Sequence, residues 1–183
     1  MEPGEFTQTL ARCREGDTQA QQRLIELVYA DLKQVARRHL GRNRWIGTLD
    51  TTALLHESYL RIAGDTPDVA NRAHFLNLAS RIMRQVICDH ARKRLRQRAH
   101  AEVTPMDELS LAVAREAREV VAVDDALADL ARTEPRQAQV VECRFFGGLS
   151  VEETAQALSI SVRTVERDWT QARQWLAEHL VID

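Results

Sequence analysis

Residues 149–176 read LSVEETAQALSISVRTVERDWTQARQWL, and this stretch decides the fold of the C-terminal part of the chain. Ser150 followed by Glu153 is a capping box, which predicts a helix over Val151–Leu158. The segment Ser159–Ser161 predicts a tight turn, and its last serine is placed to cap a second helix. A short helix, a tight turn and a second helix are typical of a helix-turn-helix.

The second helix of this pair has an apolar side and a polar side. Its apolar seam follows helical spacing and comprises Val162, Val165, Trp169, Ala172 and Leu176. On the other side, arginine suits guanine edges and phosphates, and threonine suits phosphate or the thymine methyl group. The candidate DNA-binding residues are Arg163, Thr164, Glu166, Arg167, Thr170 and Arg173. The alternative interpretation is a pair of ordinary packed helices with a solvated face.

The composition predicts an all-α protein. Among 183 residues there are seven glycines and four prolines, and no alternating strand pattern stands out. No apolar run approaches the roughly 20 residues that a membrane span needs, and the N-terminus lacks the apolar core of a signal peptide. Three widely spaced cysteines indicate free thiols in a reducing compartment. We therefore expect a cytoplasmic protein that does not bind membranes.

Four helices are predicted in the N-terminal part, over Glu5–Glu15, from about Asp17 to Leu40, over Thr51–Ala63 and from Arg72 onward. The fourth helix has a polar face and ends in a run of five basic residues between positions 92 and 98. Basic residues in a stripe attract phosphates, although a solubilising helix end is the alternative. The candidate DNA-binding residues on this helix are Asn77, Arg81, Arg84, Gln85, Arg92, Lys93 and Arg94.

An acidic stretch follows the basic run. From Ala101 to Glu134 there are nine acidic and three basic residues, although the formal net charge of the chain is only -2. This asymmetry predicts two small helical domains, residues 1–99 and 124–183, joined by an acidic linker over 100–123. We hypothesise that the acidic linker screens the basic stripe, so that deleting Asp107–Glu119 raises DNA binding.

The third predicted helix lies within LDTTALLHESYLRI, residues Leu49–Ile62. Asp50 can cap it, and Leu55, Tyr59 and Ile62 form one apolar face at helical spacing. After the cap, the first turn has no acidic residue, although the positive end of the helix dipole favours carboxylates there.

Three motifs in this order resemble those of ECF sigma factors of bacterial RNA polymerase. TTALLHESYLRI is similar to a region 2 motif that usually reads Asp-Ala-Glu-Asp-Leu-Val-Gln-Glu before an apolar-Arg run. HFLNLASRIMRQVICDHARKRLR looks like the promoter-melting part of region 2, and the helix-turn-helix resembles region 4. The resemblance covers most of the chain.

The resemblance implies a sigma subunit that binds core RNA polymerase and directs promoter recognition. The third helix would dock on the clamp of the largest polymerase subunit. The fourth would bind and help melt the minus-ten element, and the last would read the minus-thirty-five element. The acidic linker would thread toward the active-site and RNA-exit channels. The candidate polymerase-binding residues are Leu54, His56, Glu57, Leu60 and Arg61.

The third helix departs from the family pattern, because Thr52 and Ala53 stand where the family has glutamate and a second aspartate. One interpretation is weak docking, with Thr51 and Thr52 as plain helix residues. The other is a switch in which a Ser/Thr kinase phosphorylates Thr51 or Thr52 and restores the missing negative charge. An anti-sigma factor is the alternative means of control.

Two other classes of function compete with the sigma factor. A helix-turn-helix regulator that acts without replacing the sigma subunit would share the C-terminal motif, but such proteins carry an α/β receiver or ligand domain. For an enzyme, the chain offers no HExxH motif and no phosphate loop, and Cys88 and His90 face different sides of a helix. We therefore expect no catalysis, no metal and no cofactor.

Overall fold

A computed structural model describes residues 3–42, 49–64, 69–99 and 108–180 of the chain. The regular structure in these ranges is helical, which confirms the all-α prediction. The elements are α1 (Pro3–Arg14), α2 (Thr18–Arg42), α3 (Thr51–Gly64), α4 (Arg72–Ala99), α5 (Glu108–Thr133), α6 (Pro135–Val141), a π-helical turn (Glu142–Phe146), α7 (Val151–Leu158) and α8 (Val162–His179). Within the described ranges, no helix is both long enough and apolar enough to span a membrane.

Short polar side chains determine where several helices begin. The Oδ1 atom of Asp17 accepts a hydrogen bond of 3.1 Å from the backbone N–H of Ala20, at the start of α2. Asp50 does the same for α3, accepting from the N–H of Ala53 at 2.8 Å, which confirms it as the cap. These carboxylates satisfy backbone donors that have no partner within the first helical turn.

The N-terminal core lies among α1, α2, α3 and α4. Phe6 and Phe75 meet in it with their ring centroids 5.9 Å apart and tilted by 58°. Buried apolar residues from all four helices surround this pair; they include Leu10, Val28, Leu32, Val35, Leu54, Met83, Val86 and Ile87. Because α4 contributes more buried residues to this core than any other helix, it is the central helix of the N-terminal half.

The acidic stretch forms a helix where it is described. Residues 108–123, predicted to be linker, continue without a break into Asp124 and the rest of α5, and residues 100–107 lie outside the described ranges. Ala114 and Ala117 are buried and Val120 is packed on the N-terminal core, which gives α5 an apolar side against α4. Small residues at helical spacing let the two helices approach, so this part is not an extended tether. The division into two domains stays a prediction.

The C-terminal half has two small hydrophobic cores of its own, and it also packs against the N-terminal core. One is built around Leu130, Ala138 and Ala172, and the other around Val140 and Val165. The buried residues Cys143 and Leu149, however, join the large N-terminal core. The two halves therefore form one packed molecule in this structure.

The cysteines are free thiols, as the sequence predicts. Burial raises the pKa of Cys88 to about 11 and that of Cys143 to about 12. Since the thiolate is the reactive form, both side chains act as small apolar core residues at neutral pH.

Candidate nucleic-acid and polymerase interfaces

The helix-turn-helix has the caps that the sequence predicts. Ser150 Oγ accepts from the backbone N–H of Glu153 at 3.1 Å, and Glu153 Oε2 accepts from the N–H of Ser150 at 2.8 Å. Ser159 ends α7 with φ of 54°, the left-handed conformation that glycine adopts most easily. Ser161 then caps α8 by accepting from the N–H of Thr164 at 3.1 Å. These local bonds fix the angle at which α8 leaves the turn.

The predicted DNA-binding residues of α8 lie on its outer side. Arg163, Glu166 and Arg173 are exposed, and the exposed Thr170 donates its hydroxyl to the carbonyl of Glu166 at 2.9 Å. Thr164 is half-buried, and its hydroxyl shares a hydrogen bond with the capping serine. At spacings of three and four residues, these side chains share one helical face. This face is cationic and open to a groove or backbone of DNA.

The seam of α8 matches the prediction except at its first residue. Val165 and Ala172 are buried, and Trp169 and Leu176 pack on the C-terminal cores. Val162, which was predicted to belong to the seam, is exposed instead. The first helical residue precedes the point at which α8 reaches the core, so its side chain stays in solvent.

Asp168 was missed by the sequence analysis. It is fully buried, yet its carboxylate accepts from Arg136 Nε at 2.5 Å and from Arg167 Nη2 at 3.1 Å. Burial acts to raise the pKa of Asp168, but the two arginines outweigh this effect and the pKa is lowered. The carboxylate thus holds Arg167, a predicted DNA contact, and brings Arg136 of α6 beside it. A charged residue next to an apolar seam was the signal that could have revealed it.

The predicted DNA-binding residues on the polar face of α4 differ in their exposure to solvent. Arg81, Gln85, Lys93 and Arg94 are exposed, as a DNA-binding surface requires. Asn77 is half-buried, and its buried Oδ1 atom has no hydrogen-bond partner among the described residues.

Two arginines of this face, Arg84 and Arg92, are paired with acidic residues from the C-terminal half. Arg84 binds Asp124 of α5 and Glu142 of the π-helical turn, and its side chain is only 11% exposed. Arg92 binds Asp124 at 2.8 Å and Asp125 at 2.9 Å. The structure therefore places two of the residues predicted to bind the minus-ten element against acidic residues of the same chain.

One residue of the predicted docking helix α3 was assigned to the wrong surface. Leu54 is 0% exposed and lies in the N-terminal core, so it cannot contact a partner in this conformation. Leu60, by contrast, is 58% exposed. Sequence reasoning also missed Tyr59, which was predicted to face inward and is exposed beside Leu60.

The other predicted docking residues lie outside the core. His56 is exposed, and Glu57 is half-buried with its carboxylate 3.2 Å from Nε2 of His90. Arg61 is exposed and binds Asp89 of α4 at 2.9 Å. Together with Leu60 they form a mixed apolar and charged surface on α3.

The first turn of α3 has no acidic residue. Thr52 is exposed and Thr51 is half-buried. The helix N-terminus thus presents hydroxyl groups next to the Asp50 cap.

In the described part of the chain, no group of three or more histidine, cysteine, aspartate or glutamate side chains is arranged to hold a metal ion. The geometry instead consists of two cationic helical faces and one mixed face. The sequence matches the profile of the family described as ECF sigma factor over residues 3–181, nearly the whole chain. A comparison with curated proteins gave no match.

Proposed function

Because the chain belongs to the ECF sigma factor family, we propose that it binds core RNA polymerase in the cytoplasm and directs transcription initiation at specific promoters. The observation that carries this proposal is the extent of the family match, which includes both the α3 surface and the helix-turn-helix. A regulator that leaves the sigma subunit in place would need the helix-turn-helix alone.

Two surfaces are proposed to contact the promoter. The outer side of α8, with Arg163 at its start, would read the minus-thirty-five element in the major groove. The polar face of α4, with Arg81 and Lys93 exposed, would bind the minus-ten element and help to melt it. Both surfaces present arginine, whose planar fork binds phosphates and guanine edges.

The mixed surface of α3 is proposed to dock on the polymerase clamp. Its exposed leucine, Leu60, supplies apolar area next to Tyr59, and His56 and Arg61 supply polar contacts. A few large side chains commonly contribute most of the binding energy of an interface. Leu60 is therefore the proposed anchor of the docking surface.

Run-off transcription with core polymerase and a promoter library tests the proposed function. We expect the wild-type chain to select a set of promoters, and Arg163→Ala to weaken initiation from them by about five- to 150-fold, the loss expected for one base contact of about 1–3 kcal/mol. The control is Arg132→Ala, which removes an exposed arginine of α5 that pairs with Asp129. Binding to DNA without any transcription would instead identify a regulator that does not replace the sigma subunit.

We also propose that negative charge at the start of α3 controls docking. The exposed Thr52 and the half-buried Thr51 lie where the positive end of the helix dipole favours an anion. A phosphate on either threonine, added by a Ser/Thr kinase, would supply about -1.5 to -2 charges there.

The affinity of core polymerase for Thr51→Glu and Thr52→Glu tests this switch. We expect at least one of them to bind more tightly than the matching alanine variant, because glutamate supplies part of the charge of a phosphate. Thr7→Glu, which adds the same charge at an exposed site of α1, is the control. If glutamate strengthens binding at neither position, the switch is wrong and control by an anti-sigma factor becomes the better hypothesis.

A further inference from the structure

The contact between α4 and the C-terminal half is built on two arginines of the predicted DNA-binding stripe. Arg84 binds Asp124 and Glu142, the latter at 2.5 Å, and Arg92 binds Asp124 and Asp125. The side chains of Asp124 and Glu142 are 17% and 13% exposed. These are partly buried ion pairs, which salt screens less than surface pairs.

Apolar and polar contacts close the same interface around the ion pairs. Phe146 of the π-helical turn stacks on His39 of α2 with the ring centroids 5.6 Å apart, and the guanidinium of Arg84 lies over its ring. Arg38 donates to the backbone carbonyl of Gly147 at 2.6 Å. Both halves are therefore joined over α2 and α4, and the ion pairs are not isolated surface contacts.

This arrangement sets the carboxylates in competition with DNA. The guanidinium of arginine offers a fixed fork of donors that binds a carboxylate or a phosphate in the same way. An arginine that is 11% exposed and holds two carboxylates has no room for a phosphate as well. Phosphate contact by Arg84 thus requires α5 and the π-helical turn to move away from α4.

We propose that this structure is a self-occluded form, in which Asp124, Asp125 and Glu142 occupy Arg84 and Arg92 in place of promoter phosphates. The inference rests on the proposed function and adds a way in which DNA binding is regulated. Opening the interface frees Arg84 and Arg92, and a ligand that binds the open form better shifts the population toward it. The free chain accordingly binds DNA weakly.

The acidic residues that matter are not those expected from charge counting. The sequence hypothesis assigned the screening to Asp107–Glu119, but among the described residues the carboxylates that bind Arg84 and Arg92 lie at 124, 125 and 142. Glu142 lies beyond α5, within the π-helical turn. Occlusion therefore depends on these specific contacts. Removing acidic residues elsewhere in the chain does not free the two arginines.

The experiment compares two double variants with the same change in charge. Asp124→Asn with Glu142→Gln removes the carboxylates that hold Arg84. Asp129→Asn with Glu134→Gln removes two exposed carboxylates, of which Asp129 pairs with Arg132 on its own helix. Binding of the free protein to a promoter fragment is measured by fluorescence anisotropy, and the radius of gyration is measured by X-ray scattering.

We expect the first double variant to bind DNA at least about five-fold more tightly than the control variant and to have a larger radius of gyration. Circular dichroism checks that the helices remain, and Glu142→Gln alone replaces the double variant if they do not. Equal affinity and equal size of the two double variants would overturn the proposal.

The outcome can be separated from a failure of the proposed function. The scattering measurement needs neither polymerase nor DNA, so it tests whether the interface opens even if the wild-type chain starts no transcription. If the wild-type chain transcribes and the first variant gains no more affinity than the control, occlusion is wrong and the sigma function stands.

Discussion

Replacing Leu54 by alanine is expected to lower the free energy of unfolding by about 2–5 kcal/mol, while Leu60→Ala changes it by less than about 0.5 kcal/mol. Leu54 is 0% exposed within the N-terminal core, so truncation leaves a cavity. Leu60 lies on the same helix and is 58% exposed. Alanine is the best helix former, so neither change weakens α3 through helix propensity.

Urea denaturation of both variants measures this difference, and binding to core polymerase gives the second readout. We expect Leu60→Ala to lose polymerase affinity at wild-type stability, and Leu54→Ala, studied where it is still folded, to keep it. This pair of results would separate the docking surface from the core that supports it. A large loss of stability in Leu60→Ala, or none in Leu54→Ala, would show that the face of α3 is assigned wrongly.

Leu54 and Tyr59 show where helical periodicity assigned single residues of α3 to the wrong side. The predicted apolar face was partly right, because Leu55 and Ile62 pack on the N-terminal core, but it placed the exposed Tyr59 inside and left out the buried Leu54. The buried side includes Ser58, which is 1% exposed and lies one turn after Leu54. Because this position of the inner face is a serine, the sequence lacks the apolar pattern that would have assigned Leu54 to the core.

The features that the sequence did predict are local. The capping box joins Ser150 to a residue three positions away, and Ser161 caps α8 through a hydrogen bond to a residue that is also three positions away. Such bonds depend on a few neighbouring residues, so the sequence alone specifies them.

The contacts that the sequence did not predict join distant residues. Arg84 and Glu142 are 58 positions apart, and their pairing depends on how α5 and the π-helical turn pack against α4. Charge composition indicated that acidic and basic segments would attract each other, but it carried no information about which carboxylate meets which arginine. The same holds for Asp168, whose partner Arg136 is 32 positions away.

Asp168→Asn is expected to lower the free energy of unfolding by about 1.5–3 kcal/mol at neutral pH, the range for hydrogen bonds to charged groups. The variant keeps the shape of the side chain but loses the charge that binds Arg136 and Arg167. The exposed pair between Asp129 and Arg132 provides the control, since Asp129→Asn should cost less than about 1 kcal/mol. Urea unfolding measures both.

The pH dependence of the free energy of unfolding tests whether the ion pairs of Asp168 are the source of this stability. The pKa of Asp168 is lower in the folded protein than its ordinary value of 3.8, so the folded state binds its proton less readily than the unfolded state. Its contribution is therefore complete above the unfolded pKa and is lost as the pH falls through the folded pKa. We expect the difference between wild type and Asp168→Asn to be constant from pH 7 down to about 5 and to shrink below about 4. If the difference persists unchanged into acid, packing rather than charge accounts for it, and Arg167 is not held in place by the carboxylate.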